Sequence, residues 1–183
     1  MSLELVLNAV DIIQNSESHD IDCGSFCEFY RSPINRKWGY KIYKADVFRD
    51  EAFRNQAWAA KFGLAPKVGR KFVARDSDGG LQFGYLTECI DVCLYDYAMS
   101  KAEKETGLEY SYRNACSNKY GNIVSGIENS LIKRINSIGL TFCDSHPYNI
   151  DAKLNKNGKP IKWLAIDLNI EKYRGKDETY YSL

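Results

Sequence analysis

The chain has 183 residues, 44% of them apolar, which suits one compact domain or two small lobes sharing a cleft. Charge is balanced, with 25 Lys and Arg against 24 Asp and Glu, so the surface as a whole is not built for nucleic acid or an anionic membrane. Four prolines and 27% charged residues argue against disorder, and no apolar stretch approaches the roughly 20 residues that cross a bilayer. The N-terminus carries Glu4 and Asp11 without a basic start, unlike a secretory signal, so a cytoplasmic, reducing setting is expected. The six cysteines contain no Cys-x-x-Cys pair, and there are only two histidines. Free thiols are therefore expected rather than structural zinc.

In chain order, residues 3–13 read as a short helix and 26–30 as a short strand, followed by a Ser32-Pro33-Ile34-Asn35 turn. Residues 38–44 are β-prone, and 48–62 have helical spacing with apolar Phe53, Ala57, Trp58 and Ala60. Gly63 is a helix stop. Segments 68–74 and 81–87 are strands, and Asp76-Ser77-Asp78-Gly79-Gly80 between them signals a hairpin. The grammar changes near Glu88. Residues 91–104 read as helix, and 110–138 as a longer, broken one with Ile123, Ile127, Leu131, Ile132 and Ile135 on one side and Gly139 as cap. Two short strands, 150–154 and 162–166, flank Asn155 to Lys159, and the tail from Glu171 is polar and aromatic without a period. The expected organisation is α+β and two-lobed. A β-rich unit over 1–88 carries an extra helix at 1–14, and a mainly helical unit over 89–183 carries a late hairpin.

The stretch most suggestive of chemistry is Thr141-Phe142-Cys143-Asp144-Ser145-His146-Pro147-Tyr148-Asn149-Ile150. It follows the long helix and precedes the hairpin. Asp167, at the end of the second hairpin strand, comes eighteen residues after Asn149. An Asp, an Asn five residues on and a later Asp after an apolar strand make a phosphoryl-transfer arrangement. Asp144 can position a hydroxyl or accept its proton, while Asn149 and Asp167 offer the hard oxygens that magnesium prefers. The plainer readings are a capped turn for 144–149 and a solvated strand-end carboxylate for Asp167.

Asp144-x-His146-Pro147-x-Asn149 resembles the catalytic loop of the protein-kinase-like superfamily. The likeness is to its small-molecule branch, the aminoglycoside and choline kinases, and to atypical and bacteriophage kinase-like proteins. The resemblance covers roughly residues 20–172 and implies ATP and Mg2+ as cofactors, bound between two lobes. It implies that Gly24 and Ser25 belong to the glycine-rich loop and that Lys41, seventeen residues after Gly24, contacts the nucleotide phosphates. Lys44 is its near twin in sequence. The helix over 48–62 is implied to supply the lysine's carboxylate partner; Glu51 is the nearest candidate, and Gln56 sits closer to the usual distance before Pro66. Glu88 and Cys89 fall in the linker whose backbone pairs with adenine. Asp144 and His146 are implied in catalysis, and Asn149 and Asp167 in holding the metal. For His146, packing under the turn or capping it is an equal alternative.

The pattern is incomplete. One glycine of the loop is present, and Phe142 stands two residues before Asp144 where the family commonly has His. Sixteen residues follow Asp167, so a reduced C-terminal lobe is expected. That favours a small acceptor, a partner-supplied acceptor site or autophosphorylation over general peptide phosphorylation. Two functions stay open: a phosphotransferase acting on a hydroxyl, and a pseudokinase serving as a nucleotide- or protein-binding module. A nucleic-acid role for the lysines at 153, 156, 159 and 162 is the weaker alternative to a solvated strand edge. His19 reads as a surface residue, and Trp38, Trp58 and Trp163 as core or cleft-wall residues.

Overall fold

Two antiparallel sheets organise the chain. The computed structural model describes residues 3–14, 21–23, 27–107, 119–142 and 144–168. The elements are α1 (Leu3–Gln14), β1 (Ile21–Cys23), β2 (Glu28–Arg31), β3 (Trp38–Tyr43), α2 (Asp46–Lys61), β4 (Val68–Arg75) and β5 (Leu81–Glu88), then β6 (Val92–Cys93), α3 (Leu94–Thr106), α4 (Lys119–Ser137), a 3-10 turn (Pro147–Asn149), β7 (Ile150–Leu154) and β8 (Pro160–Ala165). The architecture is α+β, as expected. Gly24, Ser25, Phe26, His19, Cys116, Cys143, the first turns of the helix expected from 110 and the tail from Glu171 lie outside the described residues.

The first sheet has the order β1-β2-β3-β5-β4. Side chains alternate between its faces, and the register of β3 on β5 (Tyr40 opposite Leu86, Lys41 opposite Tyr85) decides which residues share a face. Tyr30, Tyr40, Ile42, Phe72 and Leu86 pack under α1, which buries Leu5, Ala9 and Ile12 against them. The Tyr40 hydroxyl donates to Asn8 Oδ1 at 2.8 Å, tying α1 to the sheet. Close packing here needs Gly84: a Cβ there would lie 2.5 Å from Phe72 Cε2 and 3.0 Å from the Lys41 carbonyl oxygen. The opposite face carries Lys41, Tyr43, Tyr85 and Thr87 and receives α2 through Ala52, Phe53 and Gln56.

On α2 the buried residues are Arg49, Glu51, Ala52, Gln56 and Ala59. Trp58, expected inside, is 42% exposed. The inner stripe is set by Gln56, whose amide finds polar partners on β5, so polarity and not apolar spacing orients this helix. Trp58 instead donates Nε1–H to the Ile138 carbonyl at 2.9 Å, linking α2 to the turn after α4. Gly63 and Gly139 both take positive φ (66° and 79°) just after their helices, as stop residues do.

The second half is built on β6-β7-β8, with α3 and α4 packed beside it. Its core joins Leu94, Ala98, Leu131, Ile135, Ile150 and Ala165 and reaches back to Ala59 and Leu64 of the first half. The helix expected from 91 starts later. Val92–Cys93 first pairs with Asp151–Ala152, and Cys93 Sγ then caps α3 by accepting from the Asp96 amide at 3.3 Å. On α4 the inward residues are Val124, Leu131 and Ile135, while Ile123 is 45% exposed and opens onto a groove shared with Ile161 and Trp163. No helix among the described residues is long and apolar enough to cross a membrane.

Candidate functional site

A cavity of about 570 Å³ separates the first sheet from the second half. Phe29, Lys41 and Thr87 line it from the sheet, Asp96 from the start of α3, and Asn149 and Asp167 from the open end of the β7–β8 hairpin. Chain topology explains the gathering. Asn149 precedes β7, Asp167 follows β8, and the hairpin pairing brings Ile150 opposite Ala165. Residues far apart in sequence thus meet at one end of one hairpin, held by Ile166 N–H donating to the Asn149 carbonyl at 3.0 Å.

Lys41 reaches this end from β3. Its ammonium donates to the Ile166 carbonyl and lies 3.6 Å from Asp167 Oδ1. The side chain of Lys41 is 9% exposed and that of Asp167 is 35% exposed. Burial alone would weaken the charged form of the lysine. The Asp167 carboxylate, through charge and hydrogen bonding and together with Tyr85 and Cys27, offsets that and holds the ammonium above its ordinary range. Lys44, three residues on and just past the end of β3, is exposed. The half-buried Cys27 thiol lies in the same field. Burial raises its pKa, Lys41 opposes the rise and Asp167 adds to it.

Asp144 sits exposed beside this cavity. Asn149 Nδ2 donates to both the carbonyl and the Oδ2 of Asp144, each at 3.0 Å. With Nδ2 committed, Oδ1 is the atom Asn149 keeps for a cation. The donor set of Asn149 Oδ1 and the Asp167 carboxylate fits magnesium, which takes one or two protein oxygens and completes its shell with water and phosphate. Among the described residues no three His, Cys, Asp or Glu side chains cluster as a self-sufficient metal site. Cys27, Cys89 and Cys93 are free thiols, as expected.

His146 caps the 3-10 turn, its Nδ1 accepting from the Tyr148 amide at 3.4 Å. Its ring stacks on Tyr148 (centroids 5.1 Å, 5° between planes), and Tyr148 stacks in turn on Tyr95 at 4.3 Å. The His146 side chain is exposed and its turn contact is this cap, while Tyr148 lines the cavity.

Glu51 and Lys41 are not brought together. Among the described residues Asp167 is the carboxylate within ion-pair distance of Lys41, and Glu51 is buried with Oε2 lacking a hydrogen-bond partner. Gln56 takes the inner position on α2. Its Nε2 donates to Thr87 Oγ1 at 2.7 Å and to the Pro66 carbonyl at 3.2 Å, and its Oε1 accepts from Tyr85 at 2.8 Å. In the linker, Glu88 lines the cavity, but the N–H groups of Glu88 and Cys89 are already donated to the Lys67 and Lys37 carbonyls at 2.8 and 2.9 Å. Glu88 also grips Lys153 of β7, Oε1 to Nζ, at 2.6 Å. Burial would raise the Glu88 pKa; the Lys153 hydrogen bond, the Lys67 amide and the two lysine charges together offset it, and the carboxyl is lowered. One member of the lysine row at 153–162 is therefore an inter-half tether, while Lys156, Lys159 and Lys162 are exposed.

Sequence reasoning missed the cavity's Phe29, Asp96 and Tyr148, and it missed Tyr85 behind Lys41. The alternation of β3 and β5 was the available signal for Tyr85, since it needs only the Lys41–Tyr85 register. No protein-family model matches the chain, and a search of curated proteins finds no match either.

Proposed function

We propose that the chain is an ATP- and magnesium-dependent phosphotransferase-like protein of two-lobed, kinase-like fold. It transfers a phosphoryl group to a hydroxyl of a small or partner-presented acceptor. One observation carries the reading. Lys41, Asn149 and Asp167, from three separate segments, face one cavity with Asp144 hydrogen-bonded to Asn149. The strand order is compatible with it, with the lysine on the third strand and a helix between that strand and the next. The cavity volume falls within the roughly 300–1,000 Å³ that small-molecule sites occupy.

Each residue has a task that its surroundings support. Lys41, permanently charged, binds phosphate oxygens as a point cation. Asn149 Oδ1 and the Asp167 carboxylate hold the metal, which when bound neutralises phosphate charge. Asp144 Oδ2, fixed by Asn149, orients the acceptor hydroxyl and takes its proton. Catalysis is then mainly positioning and charge stabilisation.

A second reading is favoured by one specific observation, the absence of Glu51 from Lys41: a catalytically weak module that binds nucleotide and acts through a protein partner. Incubation with γ-labelled ATP and magnesium separates the two. The enzyme reading expects label on an acceptor, on the protein itself or released as phosphate, at a rate that Asp144→Asn cuts by about 100-fold or more. Tight nucleotide binding with no transfer to any of these supports the module instead.

A further inference from the structure

Behind Lys41 the sheet carries a buried hydrogen-bonded row with no charge. Lys41 and Tyr85 are cross-strand partners, and Tyr43 and Thr87 lie two residues along on the same face. Tyr43, Tyr85, Thr87 and Gln56 are all buried, none more than 3% exposed. The Tyr85 hydroxyl donates to Gln56 Oε1 at 2.8 Å. Both hydrogens of Gln56 Nε2 are spent, on Thr87 Oγ1 and the Pro66 carbonyl. The Tyr43 hydroxyl lies 3.5 Å from that of Tyr85, and since Tyr85 gives its proton to Gln56, Tyr43 is the donor of that pair. The row therefore has one direction. With its proton committed, the Tyr85 oxygen presents lone pairs alone to its other neighbours.

We propose that Gln56 and Tyr85 are positioning residues for Lys41. Their neutral network docks α2 on β5 and holds Tyr85, the cross-strand partner of Lys41, in place, so no α2 carboxylate is needed. The functional meaning of this rests on the nucleotide-binding reading above; the geometric claim does not. An amide suits the place better than a carboxylate. Glu at position 56 would set an oxygen against the Pro66 carbonyl, acceptor to acceptor, and would bury a charge. Gln56 is then a working part of the site and not the remnant of a lost ion pair. Electrostatics agrees: burial raises the Tyr85 phenol and Lys41 pulls it the other way, leaving it at about 12.

The test uses the full chain with Tyr85→Phe and Gln56→Glu. The readouts are the 1H–15N signal of the Lys41 ammonium, affinity for ATP with magnesium, and the thermal midpoint. Tyr85→Phe keeps the ring and should fold. The expected result is a Lys41 signal shifted or broadened by faster exchange with water, and affinity lowered about tenfold, the scale of one well-made hydrogen bond. Gln56→Glu is expected to weaken binding as well. An unchanged Lys41 signal in Tyr85→Phe, with affinity within about twofold of wild type, would overturn the proposal. So would tighter nucleotide binding by Gln56→Glu, which would mean that the site wants a carboxylate. If wild type binds no nucleotide, the functional reading fails, and the Lys41 signal still decides the positioning claim.

Discussion

Removing Asp167 should cost far more stability than removing Lys41, although the two form one ion pair. The lysine side chain is 9% exposed and the aspartate 35%, with 3.6 Å between Nζ and Oδ1. At an effective dielectric of about 20, that separation corresponds to roughly 5 kcal/mol of attraction. Solvent at the part-exposed aspartate screens a good share of it. Asp167→Ala leaves a buried ammonium with a carbonyl partner alone, and about 2–3 kcal/mol is the expected loss. Lys41→Met fills the same space without a charge. It forfeits the bond to the Ile166 carbonyl and leaves Asp167 free to face water, so its cost is expected within about 1 kcal/mol. The double variant should resemble Lys41→Met, not the sum of the singles, because the orphaned charge is gone. Urea unfolding of the four proteins at pH 7 measures this; in thermal terms the Asp167→Ala loss is about 4–12 °C. Additive losses, or Lys41→Met as costly as Asp167→Ala, would refute the reasoning. The pair also has an alkaline signature. The folded-state pKa of Lys41 is raised, so its contribution is complete below the unfolded value of about 10.4 and is lost as pH climbs through the folded one. Lys41→Met should remove that part of the alkaline slope.

Three further outcomes follow from the packing. Against burial, Lys153 and Lys67 together lower Glu88, so its contribution is present above the unfolded carboxyl value of about 4.3 and fades as pH falls through the folded value; Glu88→Gln should flatten the acid limb of stability against pH, read by thermal unfolding. Gly84→Ala drives a methyl into Phe72 and the Lys41 carbonyl, and is expected to cost about 1–3 kcal/mol in urea unfolding; a neutral result would mean that α1 and β3 shift freely. Trp58→Phe removes the hydrogen bond to Ile138 across the two halves, and about 1 kcal/mol is the expected loss by the same measurement.

Local chemistry was the legible part of this fold. The Asp76–Gly80 turn announced the β4–β5 hairpin, and the apolar pattern of residues 3–13 announced α1, because both signals lie within a few residues of the structure they make. Features decided at long range were not legible. Val92–Cys93 is a strand because it pairs with residues about sixty positions later, and nothing local distinguishes it from the start of α3. Three-residue β1 carries too little pattern to read. Trp58 lies outside and Gln56 inside because a fully satisfied amide can be buried as readily as an apolar ring, and periodicity counts only the ring. In the site, the spacing of Asp144, Asn149 and Asp167 was readable from the hairpin between them. The pairing of Lys41 with Asp167 was not, since it depends on how the end of that hairpin meets β3.

The most direct test of the central claim is equilibrium binding of ATP to the wild-type chain, with and without magnesium, beside Asn149→Ala. Binding to the native state alone raises the unfolding midpoint, so calorimetry and thermal unfolding read the same event. The account predicts magnesium-dependent binding that Asn149→Ala weakens by about tenfold or more. No binding of ATP or GTP at millimolar concentration, or binding indifferent to both magnesium and Asn149, would contradict it.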